Sequence, residues 1–346
     1  MGRYDVSRAE LATLLDREPS YRVGQVWEAL YRRGDDPGTL TSLPARLRRR
    51  LAGEPALASS LAAVRESVGD GGDTVKWLYE LADGVRIETV LMHYRSGRST
   101  VCVSTQAGCA MGCGFCATGQ AGFERNLSVG EIVEQVVRAR LAAAPRRVGN
   151  VVFMGMGEPL ANYERTWGAV ERLHDDVGIS ARHLTLSTVG IVPGIRRLAA
   201  DRLPVNLAVS LHAANDELRD RLVPINRRYP LASLVEACRQ YLVAKGRRLS
   251  FEWALIDGVN DGPRDADELA ELALLLGAHV NLIPLNPTPG YPARGTPPAG
   301  VRAFRERVAG RGANVTVRRN RGTDIDAACG QLAAAHTAEV RLRPTR

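Results

Sequence analysis

Three cysteines fall in the stretch Cys109-Ala110-Met111-Gly112-Cys113-Gly114-Phe115-Cys116, at a Cys-x3-Cys-x2-Cys spacing. Two glycines let this short loop turn its sulfurs toward one point. Thiolates hold iron–sulfur clusters, and a cubane takes four of them. Three close cysteines with no fourth beside them point to a [4Fe–4S] cluster with one iron left open for a substrate. Zinc is the alternative, but it closes at four ligands and usually shows a second Cys-x2–4-Cys pair or histidines, which are missing here. A disulfide framework does not suit a chain of 346 residues with six cysteines.

The elements that must position this loop can be read from the pattern around it. The length allows one barrel-sized domain and a smaller one. Hydrophobic residues make up 45% and charged residues 24%, the balance of a soluble globular protein. No apolar run approaches a membrane span. Met1-Gly2-Arg3-Tyr4-Asp5 leads into a polar helix and not a signal core. A cytoplasmic location is expected, and it suits an oxygen-sensitive cluster. The net charge of +8 comes largely from arginine, as in Arg46-Leu47-Arg48-Arg49-Arg50, Arg146-Arg147, Arg227-Arg228 and Arg318-Arg319. Such a surface often meets phosphate backbones, although a general arginine bias would give it too.

Residues 1–58 read as a helical accessory module. Ser7-Arg8-Ala9-Glu10 forms a capping box. Val23, Val26, Trp27, Leu30 and Tyr31 share a helical face that Gly34 ends, and a third helix sets Arg48-Arg49-Arg50 opposite Leu43, Leu47 and Leu51. Residues 59–98 read as a small antiparallel unit, with alternation through Val75–Leu81 and Val85–Thr89 around an Asp83-Gly84 turn. From 99 to 346, strands alternate with helices. A strand over Thr100–Thr105 enters the cysteine loop. Others are expected near Asn150–Met154, His183–Ser187, Val205–Ser210, Leu249–Leu255 and Ala278–Ile283. Helices follow Ser128, carry Trp167 and Val170, and span Leu231–Ala244 and Ala266–Leu276. This is an α/β chain with a partial (β/α)6 barrel, whose chemistry belongs at the C-terminal strand ends. Those ends carry Gly155-Met156-Gly157-Glu158-Pro159, Ser187-Thr188-Val189-Gly190, Ser210-Leu211-His212 and Pro284-Leu285-Asn286-Pro287. Each alone could be an ordinary loop cap; four in register read as a site. Cys102 lies on the strand into the loop. Cys329 lies among small residues near the C-terminus, as an accessible thiol and a candidate nucleophile. Cys238, on an apolar helix face, reads as structural.

The cysteine spacing followed by Gly-Glu-Pro resembles the radical S-adenosylmethionine (SAM) enzymes, which hold SAM on the open iron. The resemblance narrows with Met154-Gly155-Met156-Gly157-Glu158-Pro159-Leu160, Ser210-Leu211-His212, Asp257-Gly258-Val259-Asn260-Asp261 and the tail Asp324-Ile325-Asp326-Ala327-Ala328-Cys329-Gly330-Gln331-Leu332. From about residue 60 to 335 the chain is similar to the RlmN/Cfr family of radical SAM RNA methyltransferases. The N-terminal helices and the Arg321–Asp326 context are closer to the RlmN branch, which methylates C2 of adenosine, than to Cfr, which methylates C8.

The resemblance implies that Cys109, Cys113 and Cys116 hold a [4Fe–4S] cluster. It implies that Gly157, Glu158, Ser187, Ser210, Leu211, His212 and Asn286 hold SAM, two molecules being used per turnover. Cys329 would take a methyl group, carry the methylene radical that adds to C2, and so tether the RNA. Glu88 would accept the C2 proton, although the sequence pattern alone makes it an exposed strand residue. Cys102 would then attack the Cys329 sulfur, forming a disulfide and freeing the product. The radical route has a chemical reason: C2 of adenine is an electron-poor carbon that cannot attack a SAM methyl group. The implied substrates are 23S rRNA at the peptidyl-transferase region and the adenosine 3′ to the anticodon in tRNA, with base flipping offset by phosphate contacts, for which Arg46–Arg50 and Arg227-Arg228 are candidates. A flavodoxin or ferredoxin would supply electrons, and a monomer is expected. Competing readings are a Cfr-type C8 enzyme that confers antibiotic resistance and a metal-stabilised RNA-binding protein without catalysis.

Overall fold

A computed structural model describes residues 2–332 apart from 289 and 319. Arg319 of the basic pair, and the part of the 99–346 unit beyond 332, therefore lie outside the described residues.

The expected helices form where capping and apolar spacing place them. Ser7 Oγ accepts from Glu10 N at 3.1 Å while Glu10 Oε2 accepts from Ser7 N at 2.7 Å, closing the box that starts Arg8–Leu14. Tyr21–Glu28 runs on through Ala29–Arg33, stops at Gly34, and buries Val26, Trp27, Leu30 and Tyr31. Ala45–Ala52 buries Leu47 and Leu51 and leaves Arg46, Arg49 and Arg50 exposed. These helices share one apolar core with the rest of the chain. Polar ties reinforce the contact: Trp27 Nε1 donates to Asp176 Oδ1 at 2.8 Å, and Arg140 Nη2 to Tyr31 O at 2.8 Å.

The strands are β1 (Leu61–Gly69), β2 (Thr74–Leu81), β3 (Arg86–His93), β4 (Arg98–Cys102), β5 (Gln106–Gly108), β6 (Phe123–Asn126), β7 (Arg147–Phe153), β8 (Leu184–Thr188), β9 (Asn206–Ser210), β10 (Leu249–Leu255), β11 (His279–Pro284) and β12 (Val315–Val317). All but β5 and β6 form one sheet in the order β1-β2-β3-β4-β7-β8-β9-β10-β11-β12. Pairing is antiparallel from β1 to β4 and parallel from β4 to β12. Helices between the parallel strands, such as Val129–Ala143, Leu231–Lys245 and Pro263–Leu276, make this the expected α/β partial barrel, open rather than closed. The antiparallel strands extend the same sheet and do not form a separate one.

Three departures have simple causes. β1 carries little sequence signal because it is an edge strand with Val64 and Val68 exposed. The strand entering the cysteine loop ends at Cys102 and not at Thr105: Val103 N still donates to Val152 O of β7, but Thr105 N donates to Met156 O in the turn beyond that strand. The cysteine loop is itself framed by the short two-stranded hairpin β5–β6. At its base Gly108 has φ +70°, and a Cβ there would lie 1.9 Å from Gly122 O, so only glycine closes this frame.

The N-terminal segment is also tied to the barrel through Asp5, whose carboxylate accepts from Gly2 N at 2.9 Å and from Gly130 N at 2.6 Å, in the first turn of Val129–Ala143. Losing a carboxylate at a helix start costs about 1 kcal/mol. Asp5→Ala is expected to lower the unfolding free energy of the apoprotein by about that amount, read from urea midpoints.

Candidate active site

The C-terminal ends of the parallel strands surround one cavity, and the residues singled out in the sequence converge on it. Cys109, Cys113 and Cys116 line it from the loop, Gly157 and Glu158 from the end of β7, Ser187 from β8, Ser210 and His212 from β9, Asn286 after β11, and Cys329 from the tail. Leu211 is buried just behind, its N–H bonded to Glu252 O at 3.0 Å.

Burial raises the Cys109 thiol to about 12 and pushes Cys113 up as well, with the neighbouring cysteines and Glu158 adding to it. Buried thiols of this kind ionise only against a strong local positive charge, such as iron. Cys109, Cys113 and Cys116 line one cavity, an arrangement in which each thiolate can bind a separate iron of a cubane.

Glu158 is held tightly. Its Oε1 accepts from Leu160 N at 3.0 Å and its Oε2 from Val189 N at 2.9 Å, while its own N–H donates to Gln106 Oε1 at 2.8 Å. Desolvation still wins, lifting its carboxyl to about 7. An ammonium group brought to the cavity would favour the ionised form. Gly157 has φ +96°, and a Cβ there would meet Gln106 Cβ at 2.4 Å, so the close approach of this turn to β5 needs glycine.

His212, at φ +59°, accepts the Ala254 N–H on Nδ1 at 2.9 Å. Burial and the nearby Arg219 lower it to about 3, so the ring is neutral with its proton on Nε2. Asn260 fixes this turn, donating to His212 O and Ala254 O and accepting from Ile256 N, each at 2.8 Å. The Asp257–Asp261 motif thus supplies a structural brace. Ser187 Oγ and Ser210 Oγ lie 3.4 Å apart. Asn286 Nδ2 donates to Cys329 O at 3.1 Å, so this residue reaches the tail as well as the cavity.

The Cys329 side of the site is bounded by a second cavity that Cys102 and Cys329 line together with Val90, Met92 and Arg318. Cys329 thus borders both spaces. Its thiol is exposed, while its segment is tied down: Ala117 N donates to Gly330 O at 2.7 Å and Thr118 Oγ1 to Leu332 O at 3.1 Å. Cys102 is buried, and burial with the adjacent Cys329 pushes its thiol up to about 12. Cys238 is buried and lines neither of these cavities, as a structural cysteine should.

Glu88 departs from the sequence expectation. It is buried at 2% exposure and ion-paired to Lys76 at 2.9 Å. The alternation in β3 concealed this, because the second face of the strand is covered by the distant tail rather than by water. Val90 and Met92, on the Glu88 face, were the available signal. Sequence reasoning also missed Arg219, Arg318, Glu252 and Lys76. Arg318 Nη1 lies 3.9 Å from Cys329 Sγ and 3.5 Å from Glu252 Oε2. Arg219, Glu252 and Lys76 are buried and Arg318 is half-buried, and a charge placed only by long-range partners leaves no local pattern.

The comparisons agree with this geometry. The radical SAM superfamily model matches residues 103–273. The crystal structure of a radical SAM methyltransferase from Sphaerobacter thermophilus superposes with a TM-score of 0.92 at 50% identity, covering 96% of this chain and 99% of that one. Fold and site therefore define a radical SAM enzyme, a class that uses a [4Fe–4S] cluster and SAM. The probable dual-specificity RNA methyltransferase RlmN of Parafrankia sp. (strain EAN1pec) is 52% identical, over 95% of this chain and 91% of that protein. The protein of the same description from Chloroflexus aurantiacus is 51% identical, over 96% and 93%. The chain belongs to the RlmN family of radical SAM RNA methyltransferases.

Glu158 gives this site a stability signature. Between its ordinary value of 4.5 and its folded value of about 7, the folded chain keeps a proton that the unfolded chain has lost. Stability of the apoprotein should therefore fall as pH rises through that window and level off above it, by up to roughly 3 kcal/mol. Urea unfolding at stepped pH should show this fall in the wild type and a flatter profile in Glu158→Gln.

Proposed function

We propose that this enzyme methylates C2 of adenosine in 23S rRNA and in tRNA, through a methyl group carried on Cys329. The observation that carries the reading is the position of Cys329, which borders both the cavity of the three cluster cysteines and the cavity of Cys102. A thiol so placed can receive a methyl group on one side and be resolved on the other.

Cys109, Cys113 and Cys116 would be the three ligands of one cluster, and Glu158, Ser187, Ser210, His212 and Asn286, with the Gly157 and Leu211 backbone, the SAM cradle. Bound there, cluster and SAM supply a hydrogen-abstracting radical. The chain's own residues do the rest. Cys329 gives its sulfur as methyl acceptor, and two SAM molecules are used per turnover. Arg318 beside the sulfur and Asn286 on the Cys329 carbonyl keep the residue at the junction of the cavities. Glu88 takes the C2 proton. Cys102, once deprotonated, bonds through its sulfur to the Cys329 sulfur as the methylene–sulfur bond breaks; the electron pair of that bond stays on the methylene carbon, which takes a proton to become the methyl group of the released base. In the arrangement described, burial keeps Cys102 a thiol, so its attack follows a change that exposes it.

Residues 1–58 would serve as an RNA-binding accessory domain, 59–98 as the antiparallel linker unit and 99–346 as the catalytic barrel. The exposed Arg46, Arg49, Arg50, Arg227 and Arg228 support phosphate contacts at the surface. Among the described residues no helix is long and apolar enough to cross a membrane. A monomer working in the cytoplasm with a flavodoxin or ferredoxin as donor completes the reading.

Anaerobic reconstitution with SAM, a reductant and protein-free 23S rRNA or tRNA, followed by nucleoside mass spectrometry, is expected to give 2-methyladenosine. Formation of 8-methyladenosine would assign the chain to Cfr-type chemistry instead. SAM cleavage with neither product would reject both RNA targets. Cys102→Ala is expected to leave RNA covalently bound to protein on a denaturing gel, and turnover at the wild-type rate without such an adduct would remove Cys102 from the scheme.

A further inference from the structure

Lys76 lies on β2 with 2% side-chain exposure, and it makes two contacts of different kinds. Its Nζ is 2.9 Å from Glu88 Oε1 on the neighbouring strand. The same Nζ donates to Asp326 O at 3.0 Å, three residues before Cys329 in the chain. One ammonium thus touches a carboxylate in the sheet and the backbone of the catalytic tail.

The register places these groups together. Lys76 pairs with Val90, Val90 with Cys102, and Cys102 with Val152, so the four form a row across β2, β3, β4 and β7. Side chains two residues apart on a strand share a face, which puts Glu88 beside that row, on the face where Val90, Cys102 and Val152 line the second cavity. A buried ion pair costs desolvation of both partners, and the cost is offset only where geometry is good and further hydrogen bonds are made. Here the further bond goes to the one segment that has to be set against the base.

We propose that Lys76 is a positioning residue for proton removal from the substrate, fixing the Glu88 carboxylate and the Cys329 segment relative to each other through its two contacts. This rests on the reading of Glu88 as the base. In the step concerned, the C2–H bond breaks, its electron pair stays on the purine, and the proton passes to a Glu88 carboxylate oxygen. Lys76 touches neither the RNA nor the reacting atoms. It supplies a counter-charge to a buried carboxylate and keeps the tethered adenine, carried by Cys329, within reach of that carboxylate. Methyl transfer to Cys329 and SAM cleavage precede this step and do not involve Glu88, so a loss of positioning should appear only after the tether has formed.

The test compares reconstituted wild type, Lys76→Met, Lys76→Arg and Glu88→Gln under anaerobic single-turnover conditions with RNA. Three quantities are followed: the methyl group on the Cys329 peptide, 5′-deoxyadenosine formed, and the lifetime of the RNA–protein adduct on denaturing gels. Lys76→Met is expected to methylate Cys329 and cleave SAM like the wild type while the adduct persists at least about tenfold longer, with Lys76→Arg intermediate. A purely structural lysine would instead lower Cys329 methylation and 5′-deoxyadenosine together without selectively lengthening the adduct lifetime, and that result overturns the proposal. So does a wild-type adduct lifetime in Lys76→Met when Glu88→Gln traps the adduct. If Glu88→Gln does not trap it, the reading of Glu88 as base fails first, and the two failures are distinct. Should Lys76→Met not fold, Lys76→Gln, which keeps a donor for the Asp326 carbonyl, reads the same lifetime with the same two outcomes.

Discussion

A guanidinium with no solvent exposure holds the mouth of this barrel in shape. Arg219 donates from Nε to Leu211 O at 3.1 Å, from Nη1 to Asn226 Oδ1 at 2.7 Å and from Nη2 to Val189 O at 2.6 Å. Its partners follow β8 and β9, the strands whose ends carry Ser187, Ser210 and His212. Burial lowers even this cation to about 10, still well above neutral pH, so it keeps its charge while its N–H groups satisfy the carbonyls of the mouth. The constraint behind it is general. Strand ends that turn inward to make a site leave peptide groups without ladder partners, and each must find one.

The same solution recurs around the mouth with neutral groups. Asn260 satisfies the turn at His212, Asn162 Nδ2 donates to Thr105 O and Leu127 O at 2.9 Å each, and Gln135 accepts from Ser104 N at 2.8 Å and donates to Ser104 O at 3.0 Å. Ser104 Oγ in turn donates to Glu88 O at 2.6 Å and accepts from Met156 N at 2.9 Å. These side chains fix the backbone that carries the cysteine loop, the Gly157–Glu158 turn and Glu88. A fully satisfied buried network is rigid, which is what a cofactor cradle requires.

How much of this was legible in the sequence follows from where each signal lives. The cysteine loop, the glycine turn at Gly157–Glu158 and the parallel strands declared themselves because spacing, φ requirements and apolar runs are local. Capping boxes at Ser7 and Ser128 were legible for the same reason. Glu88 was misplaced and Lys76 and Arg219 were missed because their burial depends on segments far away in sequence, and the place of Arg318 beside Cys329 depends on such partners too. β3 looked half-exposed until the tail, some 240 residues later, was laid on it. β1 escaped notice for the opposite reason, since an edge strand needs no apolar alternation.

The tail is where these two kinds of information meet. Its sequence is distinctive, yet its position is set by a few contacts from separate elements: Asp70 Oδ2 accepts from Gly322 N at 2.8 Å, Lys76 holds Asp326, Asn286 holds Cys329, and Ala117 holds Gly330. Two of these anchors, Asp70 and Lys76, come from the antiparallel extension, and the other two from the barrel. The sheet that joins extension to barrel without a break therefore decides where the tail lies. If the extension were a separate unit on a hinge, the tail segment would be stretched between two moving bodies. As one continuous sheet from β1 to β12, it sets the thiol of Cys329 against the cysteine loop on one side and Cys102 on the other with the precision of strand register.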